Sequence, residues 1–250
     1  MHRITSLELK KHSRQEHYRS PFAQYLREIV YGGSDGIVTT FAVVAGFSGA
    51  QVATSWPTLS FLSVLLFGFA NLLGDATSMG LGNYLSVTAD QDAYKKERQR
   101  ELLEIRNKPD FEYAETVSLL KKKGFSHEDA ERVAHLYKKN EQYWVDFMMH
   151  NELNMPDPHQ DKPAITSLAT FISFILFGSI PLFPYMFING DGVTRFMYSM
   201  LLAFSALLVL GVFRWKVTQQ HLVRSVGETL LIGSLSSLVA YFVGGLFKIG

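Results

Sequence analysis

The 250-residue chain contains no cysteine, which excludes disulfides and thiolate metal sites alike. Any transition-metal site must then be built from carboxylate, imidazole or thioether ligands. An excess of one charge is also missing, since 24 Lys and Arg stand against 23 Asp and Glu. That balance gives no electrostatic case for a nucleic acid as partner. The N-terminal stretch MHRITSLELKKHSRQEHYRS lacks the apolar core of a signal peptide, so insertion into a membrane is expected to be driven by later segments. Charge is almost absent from long stretches and dense between about residues 90 and 162. The mean hydropathy of +0.07 is therefore an average over two unlike kinds of sequence.

What the chain does contain is apolar length. A helix crossing a bilayer needs roughly 20 mostly apolar residues, at about 1.5 Å rise each through about 30 Å of hydrocarbon. Ala164 to Ile188, Phe196 to Trp215 and Val226 to Gly250 meet this easily. Leu59 to about Val87 is a fourth span with Asn71 and Asp75 inside it, and Ile29 to Ala53 a fifth, interrupted by Ser34 and Asp35. Buried helices of a soluble protein rarely reach this length in so many consecutive segments. The expected fold is all-α: a polytopic membrane bundle of five spans with a soluble helical insert between spans two and three.

Basic residues set the orientation, because cytoplasmic segments collect Lys and Arg. Arg3, Lys10, Lys11, Arg14, Arg19 and Arg27 precede the first span, and the insert is rich in both residue types. The link Gly49 to Thr58 has no charge, and Asn189 to Arg195 has only Arg195 as a base. Arg214, Lys216 and Arg224 follow span four, whereas the C-terminal end carries Lys248 alone. This alternation predicts a cytoplasmic N-terminal segment (1–28), spans one and two (29–89), a cytoplasmic insert (90–162), spans three to five (163–250) and a C-terminus on the far side. It does not tell a plasma or inner membrane from a vacuolar one.

The insert reads as four helices. Residues 90–107 continue span two into water, and Pro109 closes that run, since the residue before a proline avoids helix. A second helix is expected over about Phe111 to Lys123, closed by Gly124. Ser126, with Asp129 three residues on, resembles an N-cap for a third. A fourth covers about Glu141 to Leu153, and Asn154 to Pro163, with its three prolines, leads back to the membrane.

Two sets of residues carry chemistry. An acid inside a span costs at least a few kcal/mol at the bilayer centre, so Asp35 is expected to face a partner or a watered path. Glu28, seven residues earlier, shares its helix face. In span two, Asn71, Asp75 and Met79 form one stripe at i, i+4 and i+8, and amide, carboxylate and thioether suit a borderline divalent ion such as Fe2+. In the insert, Glu101 and Glu104 share a face, Glu112 and Glu115 repeat that spacing on the next helix, and Met148 and Met149 precede Glu152 on the fourth. An antiparallel arrangement brings these carboxylates together, and a metal ion relieves their mutual repulsion. His127 and His135 read as surface residues, with His150 the one near-ligand candidate. A divalent transition metal is the expected substrate and ligand, with no organic cofactor.

SDGIVTTFAVVAGFSGA (34–50), DATSMGLGNYLS (75–86), KKERQRELLEI (95–105) and WVDFMMHNEL (144–153) together resemble the vacuolar iron transporter family, and the likeness extends through the last three spans. The resemblance implies a five-span homodimer that moves Fe2+, and often Mn2+, out of the cytosol in exchange for protons. It implies that Asp35 and Met79 serve translocation, and that Glu101, Glu104, Glu112, Glu115, Met148, Met149 and Glu152 form a cytoplasmic metal site. Two positions depart from the family pattern: Gln24 and Asn71 stand where the family carries acids. An amide can ligate a metal but cannot carry a proton at ordinary pH. Asp75, one turn from Asn71, is the candidate to supply the missing carboxylate.

Two other functions fit parts of the chain. A membrane-tethered di-metal oxidase would use the Glu pairs, but such helical sites combine Glu with E-x-x-H, which the insert lacks. A metal sensor would use the insert for binding and the spans as an anchor or gate. Transport is the expected activity, and an enzyme is not.

Overall fold

The computed structural model describes residues 25–51, 57–218 and 221–246. The segment around Gln24, the basic residues before it, part of the first link and Lys248 lie outside these. No strand occurs among the described residues. Five helical stretches are long and apolar enough to cross a membrane: Leu26–Ala50, Phe61–Asn107, Pro163–Phe187, Gly192–Thr218 and Leu222–Leu246. The all-α, five-span expectation is what the structure shows. Two compact units result: the described residues up to Asn83 together with those from Ala164 on, and Tyr84–Pro163.

In the apolar unit, helix α1 (Leu26–Gln51) is rich in glycine and β-branched residues, which are poor helix formers in water. Tertiary contact holds it. Ile37, Phe41 and Val44 of α1 are buried with Val64, Leu72 and Ala76 of α2 (Pro57–Asn107). Phe174 of α6 (Pro163–Gly178) and Ala203, Ala206, Leu207 and Leu210 of α8 (Gly192–Thr218) join the same core. The last helix, α9 (Leu222–Leu246), packs along α1 and α8. Leu62, Leu66, Leu81, Leu176, Leu231 and Leu238 are exposed apolar side chains of this unit, the surface that a bilayer rather than water covers.

Two helices pack closely beside Asp35. A Cβ built on Gly36 would collide with the Phe174 carbonyl, and one on Gly178 would lie 2.8 Å from the Gly36 carbonyl. Only glycine lets α1 and α6 approach so closely.

The third span is not one uninterrupted helix, as its hydropathy suggested. After α6 come a 3-10 turn (Ile180–Leu182) and the short helix α7 (Phe183–Phe187). Pro181 and Pro184 cannot donate to the preceding turn and so break the helical ladder. Ser199 of α8 repairs part of the damage, donating its hydroxyl to the Pro181 carbonyl at 2.6 Å.

In the second unit, the polar end of α2 packs with α3 (Pro109–Lys122), α4 (His127–Tyr137) and α5 (Glu141–Asn151). α3 starts at Pro109 itself, two residues earlier than expected, because proline's missing N–H costs nothing in a first turn. It ends in a Schellman motif: Phe125 N–H donates to the Leu120 carbonyl at 3.2 Å around Gly124 at φ +99°. Ser126 caps α4 by accepting from Asp129 N–H at 3.1 Å, and Asn140 caps α5 by accepting from Tyr143 N–H at 3.2 Å. Tyr94, Ile105, Trp144, Val145, Met148 and Met149 form the core. Two arginines of α2 clamp α5 from outside it. Arg106 pairs bidentately with Glu141 at 2.8 and 2.7 Å, and Arg98 bonds Asp146 at 3.0 Å and Gln142 at 2.9 Å.

Candidate functional site

The insert brings three acids together from three helices. Glu101 of α2, Glu112 of α3 and Glu152 at the C-cap of α5 each offer a carboxylate oxygen, and these oxygens lie within 4.8 Å of one another. Glu101 and Glu112 are only 2% exposed, so neither can be a solvated surface charge. One oxygen on each of the three carboxylates is buried with no hydrogen-bond partner. Buried polar atoms without partners are rare in folded proteins, and three neighbouring carboxylates that each carry one form a place that could hold a cation.

The electrostatics agree. Burial is the largest cause that pushes Glu101 up to about 8 from an ordinary 4.5, with the charges of Glu112, Glu152 and Glu104 adding to it. Glu152 is pushed up to about 7, first by burial and then by Glu115, Glu112 and Glu104. Burial and Glu115 also raise Glu112, while its hydrogen bond with Glu101 pulls the other way. The raised values favour the protonated cluster, so a cation bound there would have to displace protons.

Glu104 and Glu115 stay half-buried outside the trio, and both act on it through their charge. Glu104 also faces Arg100, at 3.8 Å. Met148 and Met149 are fully buried in the core of this unit. The Met148 sulfur lies 3.4 Å from the Thr116 hydroxyl, and that hydroxyl accepts from the Trp144 indole N–H at 2.7 Å. Thr116 has no signature in the sequence, because a lone threonine just after a Glu-bearing turn is common in exposed helices. His150 is exposed and lines a separate polar cavity with Tyr94, Asp146 and His159.

The apolar unit holds the second set. Asn71, Asp75 and Met79 are all half-buried on α2, and Asn71 donates its amide to Asp75 Oδ2 at 2.7 Å. Asp35 of α1 is half-buried too, and the charge of Asp75 reaches it. Met79 packs against the buried core of the unit. Glu28 lies in the first turn of α1, half-buried. The stripe runs one turn further than Met79: Asn83 donates to the Thr170 hydroxyl of α6 at 2.8 Å. The same i+4 spacing could have found it.

Comparison with known proteins adds an independent line. The chain is 33% identical to "Vacuolar iron transporter 1" of Arabidopsis thaliana over 233 residues, covering 93% of this chain and 89% of the relative. It is 34% identical to "Vacuolar iron transporter" of Centaurea cyanus, over 92% and 90% of the two chains. With the protein of the same name from Toxoplasma gondii it shares 32% identity over 94% of this chain and 78% of the relative. The model of the VIT family matches residues 26–245, the five apolar stretches and the insert together, and the chain belongs to that family.

Proposed function

We propose that this chain moves Fe2+ out of the cytosol, with Mn2+, Co2+ and Zn2+ as further substrates, in exchange for protons. Family membership and the relatives' names support the coarser statement, a multi-pass membrane transporter of metal ions and not an enzyme. The observation that carries the finer one is the buried Glu101–Glu112–Glu152 cluster with its unpartnered oxygens. Carboxylate oxygens with thioethers nearby suit a borderline divalent ion.

In this reading the insert is cytoplasmic and captures the ion, exchanging it for the protons held by the cluster. Glu104 and Glu115 supply attraction from the edge, and Met148 and Met149 supply sulfur. The ion then passes to Asp35, Asp75 and Met79, with Asn71 and Glu28 along the same path. Asp35 and Asp75 are only half-buried within one chain, which supports a path completed by a second copy in a homodimer. Asp75 stands one turn from the amide of Asn71, and is the carboxylate available there for proton coupling.

The test is metal uptake into vesicles reconstituted with the purified protein under an imposed pH gradient. Fe2+ accumulation that collapses when the gradient is removed is expected. Binding without accumulation would turn the reading towards a sensor.

A further inference from the structure

We propose that Thr116 is a positioning residue for the Met148 sulfur, held in place by Trp144, and that this chain of contacts sets the insert's preference for softer over harder divalent cations. The inference rests on the reading of Glu101, Glu112 and Glu152 as the cation site.

The helix register carries the argument. Glu112 of α3 meets Glu152 at the end of α5 in the carboxylate cluster. One turn further along α3, Thr116 meets Met148, one turn back along α5. Trp144, a further turn back, donates to the same hydroxyl. The thioether thus occupies the antiparallel rung next to the carboxylates. Methionine is unbranched with three rotatable bonds, so nothing in its own chemistry aims the sulfur.

Thr116 provides the aim. It is fully buried, as is Met148, and Trp144 is 2% exposed, so water does not compete for these contacts. The indole N–H can only donate, and it occupies one acceptor position of the hydroxyl. The hydroxyl's single proton has two acceptors in reach, the Glu112 carbonyl at 2.8 Å and the Met148 sulfur at 3.4 Å. The carbonyl is the shorter and better acceptor. The share of the proton given to the sulfur takes one of its two lone pairs and fixes its position, and the second lone pair stays available to a cation. A fixed, available thioether favours a softer ion such as Co2+ and does little for harder Mn2+, whose preferred ligands are carboxylates.

The experiment measures Co2+ and Mn2+ affinities of the full-length protein. Partners that orient a metal ligand typically contribute about 10–100-fold in affinity, so Thr116→Val should weaken Co2+ binding by about tenfold and move Mn2+ by no more than about twofold. Thr116→Ser keeps the hydroxyl and should restore the ratio. Met148→Leu should reproduce the Co2+ loss, and Thr116→Val added to it should cost nothing more, as expected of residues that act through one contact. Losses of equal size for both ions, or an unchanged ratio, would assign Thr116 to core packing and overturn the proposal. Should Thr116→Val fail to fold, Trp144→Phe removes the indole donor and is read by the same ratio. Glu112→Gln separates the two levels. If it leaves both ions bound as before, the cluster is not the site. If it weakens both while the Thr116 variants keep the ratio, only the positioning role fails.

Discussion

The amide of Asn71 donates to Asp75 Oδ2 at 2.7 Å across one turn of α2. A carboxylate fixed in this way keeps its charge at one depth along the helix, within reach of Asp35 on α1. Asp35→Asn keeps the size and removes the charge that offsets dehydration of a divalent ion. Transport should fall by about 100-fold or more, about 2.8 kcal/mol at about 1.4 kcal/mol per tenfold. Vesicle uptake with protein amount and oligomeric state controlled is the check, and full activity would remove Asp35 from the path.

Asp75→Asn tests the neighbouring acid. Uptake driven by a pH gradient should drop, whereas downhill metal flux without a gradient should be less affected. Equal loss in both assays would mean that Asp75 binds metal and plays no part in coupling.

Met79→Leu retains the apolar volume packed against the core and deletes the sulfur. Fe2+ and Co2+ transport should fall more than Mn2+ transport, by roughly a few-fold, because only the softer ions value the thioether. A uniform loss, with lower protein yield, would point to packing.

The stripe Asn71–Asp75–Met79 was legible because residues four apart on a helix share a face, and the structure keeps all three half-buried together. The insert was legible in part. Two E-x-x-E pairs suggested four equivalent ligands, yet only Glu101 and Glu112 join Glu152 in the trio. Residues three apart on a helix point about 60° apart, so one of each pair enters the core and the other remains at the edge. Spacing alone cannot choose between them; the rotation of each helix against its neighbours does. The break in span three was hidden for another reason. Hydropathy averages over Pro181 and Pro184, whose effect lies in the missing N–H rather than in polarity.

The carboxylate cluster makes stability depend on pH with a definite sign. Glu101 titrates near 8 and Glu152 near 7 when folded, against 4.5 ordinarily. Below the ordinary value both are protonated in either state, and they cost nothing. As pH rises towards 8 the unfolded chain releases protons that the folded chain retains, so metal-free stability falls and then levels off. Glu101→Gln, a permanent mimic of the protonated acid, should flatten that dependence and stabilise the metal-free protein near pH 8. It should weaken metal binding at the same time. Thermal melts across pH, with and without Mn2+, test both signs; a Glu101→Gln protein that melts lower at every pH would contradict them.

Orientation has a direct test. A reporter placed after Lys122 should be cytoplasmic and one after Gly250 on the opposite side. Both on one side would break the five-span arrangement proposed from the basic residues.

The bond from Trp144 to Thr116 also gives the insert an optical label of its own. The chain has three tryptophans, and Trp144 is the one within Tyr84–Pro163. Its indole N–H is tied to the hydroxyl that touches Met148, one turn along α3 from Glu112. If the proposed site is right, an ion settling among the carboxylates and drawing on that sulfur would alter the field at the indole. Its emission can then follow occupancy of the insert in the intact protein without any attached dye, once Trp56→Phe and Trp215→Phe remove the two other indoles of the chain.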